Sequence, residues 1–165
     1  MSIATQNYAG QLGCAKSYLK TFVEYHSFYH ALVDIEEIAW ANHASPEFIK
    51  KAFLALHSEN LAYLEYKEEI REEIDSDEIR EYLETIPLEV SRRYCPDTGE
   101  ATGFNILLCT GGPAVRIIGD LGGYDEPESA EIQGQDWGTP WEYLRMTEEE
   151  ETALMWFVNL FYFGE

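Results

Sequence analysis

Basic residues are scarce in this sequence. Lysine and arginine together number 11 against 31 aspartates and glutamates, a formal net charge of −20 over 165 residues. Such a chain repels nucleic acid and anionic membranes and attracts basic surfaces. It lacks the phosphate-neutralising Lys and Arg that direct nucleic-acid binding requires, which excludes that class of function. Cysteine is rare too. Cys14, Cys95 and Cys109 form no CxxC pair and cannot all be joined, so a disulfide framework is excluded and free thiols in a reducing cytosol are expected. Long apolar runs are missing: the most apolar, Ala153–Phe163, has eleven residues, too few to cross a bilayer. The opening MSIATQNYAG has neither a basic n-region nor an apolar core, so no signal peptide is expected. No GxSxG or HExxH frame and no EF-hand register appears, so no reaction is legible and no cofactor or metal is expected.

What is present is a core and a field. Hydrophobic residues make up 45% of the chain and aromatics 14%, enough for one folded domain over residues 1–165. Residues 1–58 carry five acids and four bases. The remaining chain carries 26 acids and seven bases, a net charge of −19. Its centre is Leu61–Thr85. Between Glu65 and Glu84 lie ten carboxylates: Glu65, Glu68, Glu69, Glu72, Glu73, Asp75, Asp77, Glu78, Glu81 and Glu84. Against them stand Lys67, Arg71 and Arg80. As a helix these twenty residues span roughly 30 Å, one carboxylate about every 3 Å, close to the ~3.4 Å phosphate repeat of one DNA strand. Solvated acidic faces are common, but they mix signs to gain i,i+4 pairs. Here Glu65/Glu69, Glu68/Glu72 and Glu69/Glu73 repel at that spacing by a few tenths of a kcal/mol each. The acidity recurs at Asp120, Asp125, Glu126, Glu128 and Glu131, and again at Glu148–Glu151. Repulsion accepted in several elements indicates use.

Hydrophobic periodicity predicts an α+β fold: helices over 1–87, then a three- to four-stranded antiparallel meander covered by an apolar C-terminal helix. Residues 1–13, interrupted by Gly10 and Gly13, are expected to be a loose arm. A helix is expected over Cys14–Val33, with Leu19, Phe22, Val23, His26, Tyr29, His30 and Val33 at three- and four-residue steps, and a second over Ile35–Asn42. Ser45-Pro46 signals another start, whose helix would bury Phe48, Ile49, Ala52, Phe53 and Leu56. Leu61, Leu64, Ile70 and Ile74 supply an inner edge to the acidic stretch. Asp75 with Glu78 has capping-box spacing and predicts a helix over 76–84. Pro87 closes the helical half. Leu88–Tyr94, Phe104–Cys109, Val115–Leu121 and Ala130–Asp136 read as strands, the last polar enough for a sheet edge. Thr147 and Glu150 form a second capping box, opening a helix over about 148–162.

Smaller features have plain readings. His26 and His30 have a metal-compatible i,i+4 spacing but sit among Tyr25, Phe28 and Tyr29, which points to aromatic packing. Thr110–Ala114, TGGPA, resembles a phosphate loop, yet Pro113 and the strand after it make it a turn. Trp137, Trp141 and Tyr143 either form a recognition platform or pin their loop to the core.

The segments ILLCTGGPAVRIIGDL (Ile106–Leu121), QDWGTPWEY (Gln135–Tyr143) and FYFGE (Phe161–Glu165) together resemble a family of small acidic proteins encoded on bacteriophages and conjugative elements. The resemblance covers about Leu88 to Glu165 and brings no catalytic residues with it. In composition the chain is similar to phage-borne antirestriction and anti-CRISPR proteins that imitate DNA. The motif resemblance implies a mobile-element origin in a family that is mostly uncharacterised; the compositional similarity implies a non-enzymatic inhibitor in the host bacterial cytosol. Its partner would be a basic nucleic-acid-binding host protein, a CRISPR effector or restriction enzyme, met through Glu65, Glu68, Glu69, Glu72, Glu73, Asp75, Asp77, Glu78, Glu81, Asp120, Asp125, Glu126 and Glu128. The alternative is an interaction module that binds a partner protein, or a second copy as a homodimer, through Tyr18, Phe22, Tyr25 and Tyr29. A weaker alternative is a metal-dependent enzyme built on clustered carboxylates.

Overall fold

The computed structural model describes residues 3–45, 47–48, 51–52 and 76–164. Its elements, in chain order, are helix α1 (Ile3–Ala41), helix α2 (Ser76–Glu84), strands β1 (Glu89–Tyr94), β2 (Ala101–Cys109), β3 (Ala114–Asp120), β4 (Glu131–Gln135) and β5 (Glu142–Tyr143), and helix α3 (Glu148–Val158). The fold is α+β. The chain divides into two compact units, Met1–Phe22 with Glu84–Glu165, and Val23–Leu83.

In the first unit the five strands form an antiparallel meander in sequence order. Short connections of turn-forming residues join neighbours directly. Alternation along the strands turns Phe104, Ile106 and Leu108 of β2, Val115 and Ile117 of β3 and Ile132 of β4 into the core. Helix α3 adds Ala153, Leu154, Phe157 and Val158, all fully buried. Phe22 near the end of this unit's portion of α1 stacks on Phe157 with ring centroids 4.0 Å apart. Phe163 stacks on Phe104 at 4.7 Å, and the Tyr18 hydroxyl donates to the Leu108 carbonyl oxygen at 3.4 Å. Burial, with Cys109 beside it, pushes the Tyr18 phenol above its ordinary value.

In the second unit α1 buries Tyr25, Phe28, Leu32, Ile35 and Ala39, and α2 buries Ile79 and Leu83. Tyr82 meets Tyr25 with centroids 5.8 Å apart. The start of α2 is held from outside its own sequence. Glu36 accepts from the Ser76 backbone N–H at 2.9 Å and from its hydroxyl at 2.7 Å. A carboxylate there satisfies an orphan N–H and suits the positive helix end.

The helical half departs from expectation in four ways. Residues 3–13 are helical rather than a loose arm, and no break occurs near Asp34, so one 39-residue helix replaces an arm and two helices. Glycine lowers helix stability by only about 1 kcal/mol, too little for Gly10 and Gly13 to stop a long helix. The buried stripe is also rotated. From Tyr25 onward it runs through Tyr25, Phe28, Leu32 and Ile35, while Val23, His26, Tyr29 and Val33 lie half-buried beside it and His30 is exposed. Both phases have three- and four-residue steps, and packing chose between them. The His26 and His30 rings meet edge to face at 4.6 Å. Finally, Phe48 is exposed rather than buried. Ser45 does cap a turn, its Oγ accepting from Phe48 N–H at 3.4 Å. Ile49, Phe53, Leu56, Leu61, Leu64, Ile70 and Ile74 lie outside the described residues.

Helix α1 ends in a Schellman arrangement. Ala44 N–H reaches the Ala39 carbonyl oxygen at 2.7 Å and His43 N–H reaches that of Trp40 at 3.2 Å. His43 carries the left-handed conformation, φ 53°, that glycine usually supplies. Replacing His43 with Gly removes a strained φ but adds unfolded-state entropy. The net expectation is about 0.5 kcal/mol of added stability, or roughly 1–2 °C in Tm, read by thermal melting.

In the sheet half the differences are small. A fifth strand, β5, pairs with β4 at Gln133–Tyr143 and Gly134–Glu142, so β4 is flanked on both sides there rather than being the edge. Helix α3 stops at Val158, short of the expected 162, where Asn159 N–H bonds back to the Met155 and Phe157 carbonyl oxygens. The Thr147 hydroxyl caps α3 by accepting from Glu150 N–H at 3.3 Å, and it also donates to the Glu150 carboxylate at 3.2 Å.

Candidate partner surfaces

The meander sorts its connections by chemistry. Tyr94 pairs with Ala101, Gly103 with Asp120 and Ile118 with Glu131, so the β1–β2 and β3–β4 connections share one end of the sheet. That end gathers seven carboxylates: Asp97, Glu100, Asp120, Asp125, Glu126, Glu128 and Glu131. Arg92 and Arg93 of β1 oppose them, with Arg145 in the connection after β5. The opposite end holds the β2–β3 turn, Thr110–Pro113, and the β4–β5 turn around Trp137, with Asp136 as their one acid.

Each acidic side chain is set by its loop. Leu121 pairs with Pro127 across the β3–β4 connection. Glu128 N–H bonds the Asp120 carbonyl oxygen at 2.9 Å, Gly122 N–H that of Glu126 at 2.8 Å, and Asp125 N–H that of Gly122 at 3.2 Å. Asp125 takes a left-handed φ of 56°, which aspartate tolerates better than most residues. The Asp120 carboxylate accepts from the Ser129 hydroxyl at 3.3 Å and lies 3.5 Å from Arg93. Asp125 lies 3.7 Å from Arg92. Long, solvent-accessible pairs of this kind are worth about 0–1 kcal/mol each, so they orient the two carboxylates without neutralising the end. Glu100, Glu126 and Glu128 are exposed.

Between these loops lies a cleft of about 590 Å³ lined by Arg92, Tyr94, Gly99, Glu100, Gly122 and Asp125 among others. The Arg92 guanidinium sits 5.3 Å from the Tyr94 ring centroid. The Arg92–Asp125 separation exceeds hydrogen-bond length, so a polar group entering the cleft meets a partner of either sign. In the neighbouring turn, hydrogen bonds from the Thr98 side chain first, then from the Thr98 and Asp97 backbone, hold the Cys95 thiol below its ordinary value. A lowered value raises the thiolate fraction at neutral pH. Thr98→Val is therefore expected to slow Cys95 alkylation, measured by mass spectrometry over a time course.

The turns of the other end bring two distant sequence motifs together. A Cβ at Gly112 would collide with the Trp137 indole as placed, so glycine lets this ring lie against the TGGPA turn. Gly111, at φ 116°, also needs glycine. Thr139 Oγ1 accepts from Asp136 N–H at 3.0 Å and donates to the Asp136 carbonyl oxygen at 2.9 Å, closing the second turn. Strand β3 follows TGGPA, so this segment is a turn between strands with no helix N-terminus for a phosphate. Of the three aromatics, Trp141 packs beneath Arg116, whose guanidinium is 4.1 Å from its ring centroid. Trp137 and Tyr143 are exposed, Trp137 at 80%. Burial first, then the charge of Arg93, pulls Arg116 below its ordinary value, with Glu131 acting the other way. Arg116 in turn donates to Gln133 at 2.9 Å, and Gln133 donates to Glu131 at 2.6 Å.

In the other unit α2 turns Asp77, Glu81 and Glu84 outward at three- and four-residue steps, with Glu78 half-buried. The expected partner residues Glu65, Glu68, Glu69, Glu72, Glu73 and Asp75 lie outside the described residues. Phe22 and Tyr25, half of the alternative aromatic surface, are fully buried and are not available to a partner. Their helical spacing is that of a core stripe, and sequence spacing alone does not tell a core stripe from a docking stripe. Among the described residues no three His, Cys, Asp or Glu side chains converge to hold a metal ion. Nor, among them, is any helix long and apolar enough to cross a membrane.

No family model, no curated protein and no solved structure matches the chain.

Proposed function

We propose that this protein is a non-enzymatic inhibitor carried by a mobile genetic element, of the DNA-imitating kind its acidic composition resembles. In this reading its carboxylates occupy the nucleic-acid groove of a host defence complex, a CRISPR effector or restriction enzyme, in the bacterial cytosol. The observation that carries the reading is the gathering of seven carboxylates at one end of the sheet, in a chain of net charge −20. Separate loops bring like charges together there, at a cost in self-repulsion. The mechanism is competition. Carboxylates take the positions of phosphates against Arg and Lys, and the groove is then closed to its own substrate.

Charge pairs on such a surface are screened within about 8–10 Å at physiological salt, so the complex must weaken steeply as salt rises. The test is capture of partners from host lysate at low and at high salt, with the bound proteins identified. A nucleic-acid-binding protein retained at low salt and released at high salt is the expected result. Capture that is indifferent to salt, or that retains no basic protein, overturns the reading.

A further inference from the structure

Strand β1 is an edge of the sheet: β2 lies on one side of it, and no other strand pairs with it among the described residues. Edge strands are usually kept short, covered or uniformly charged, because their unpaired N–H and C=O groups invite another strand. This one is six residues long; within it Val90 is 40% and Tyr94 53% exposed, and Leu88 just before it is 62% exposed. Those three share one side of the sheet, since successive strand residues alternate. Its charges, Glu89, Arg92 and Arg93, are neither uniform nor random in position. Reversed and laid antiparallel to itself about Ser91, the strand sets Glu89 opposite Arg93 and Arg93 opposite Glu89. The same register sets Leu88 opposite Tyr94 and Val90 opposite the aliphatic stem of Arg92. Directly opposed residues of an antiparallel pair lie on the same face, so every one of these matches is a cross-strand neighbour pair.

We propose that β1 is a self-association edge, pairing with β1 of a second copy about a two-fold axis at Ser91 to join two five-stranded sheets into one. The occupant is a second copy because the strand is complementary to itself in charge and in its apolar positions at this register, and a two-fold interface needs that property. Electrostatics also favours this edge over the rest of the surface. β1 carries two arginines and one glutamate in a chain of net charge −20. The antiparallel arrangement also sends the two acidic sheet ends in opposite directions. A single strand pair is a small interface, below the ~1,200 Å² of most stable complexes, so dissociation in the micromolar range is expected.

The experiment is sedimentation velocity of the full chain across the micromolar range, with two single variants and their mixture. Glu89→Arg sets Arg against Arg at two symmetric positions and is expected to weaken the dimer about ten-fold or more. Arg93→Glu sets Glu against Glu with the same result. Mixed together, the two variants regain opposite charges at both positions and are expected to form a heterodimer when neither self-associates. Arg93 also donates to the Gly119 carbonyl oxygen at 2.8 Å, so its variant is checked by circular dichroism. If that variant does not fold, Leu88→Asp replaces it: the side chain is exposed, and the change removes only the apolar match with Tyr94. Retained dimerisation in Leu88→Asp counts against the proposal. A wild-type chain that stays monomeric throughout the range overturns it, as does a dimer that Glu89→Arg leaves unchanged.

Discussion

Reversing Glu100, Glu126 and Glu128 to lysine is expected to weaken capture of the basic partner by between about ten-fold and ten-thousand-fold. Each exposed charge pair is worth about 0.2–1 kcal/mol, and reversal replaces an attraction with a repulsion of similar size. Three such changes remove roughly 1–6 kcal/mol, at about 1.4 kcal/mol per ten-fold. The fold should be indifferent, because all three side chains are exposed and surface substitutions of this kind stay within about 0.5 kcal/mol. The measurement is partner binding at two salt concentrations, with thermal melting as the control. A parallel variant reversing Glu68, Glu69, Glu72 and Glu73 separates the two acidic regions. Loss of binding in that variant alone would move the contact from the sheet end to the central acidic stretch. Full binding in both would remove the acidic surface from the mechanism.

Phe157→Ala is expected to cost about 3–5 kcal/mol, as for other large-to-small changes at fully buried aromatics. Phe157 lies between Phe22 of α1, stacked at 4.0 Å, and Phe161, edge-on at 5.3 Å. Its loss therefore opens a cavity where two elements distant in sequence meet, and neither can relax alone. Domains are stable by about 5–15 kcal/mol, so this single change removes a large share. At roughly 2–4 °C per kcal/mol for a chain of this size, Tm should fall by about 6–20 °C. Circular dichroism melting reads it directly. A fall of less than about 2 °C would mean that α3 does not hold α1 to this core.

The sheet half was readable because its signals are local. The turns Pro96–Gly99, Gly111–Pro113 and Gly122–Pro127 separate runs of strand period, and short turns leave little choice but neighbouring antiparallel strands. Thr147 and Glu148 marked the start of α3 to the residue. The helical half was less legible. Gly10, Gly13 and Asp34 are weak helix breakers, and the stripe through His26 and Val33 has the same period as the one through Phe28 and Leu32. The stripe that is buried meets a residue far along the chain, Tyr82 against Tyr25. The capping of α2 by Glu36 was invisible for the same reason: its partners are forty residues apart.

The candidate surfaces divide in the same way. Which residues are acidic, and how many, is written in the chain. That Asp97 and Glu100 stand at the same end as Asp120, Glu126 and Glu128 follows only from strand pairing. That Trp137 rests on Gly112 follows only from the meeting of two turns.

The sequence by itself determined the excess of negative charge, the α+β order of elements and the places of the first four strands, because composition and short-range backbone preference decide these. Tertiary structure alone decided which stripe of α1 is buried, which carboxylates share an end of the sheet and which strand is left at its edge. Those depend on contacts between residues distant in sequence, and local periodicity carries no record of them.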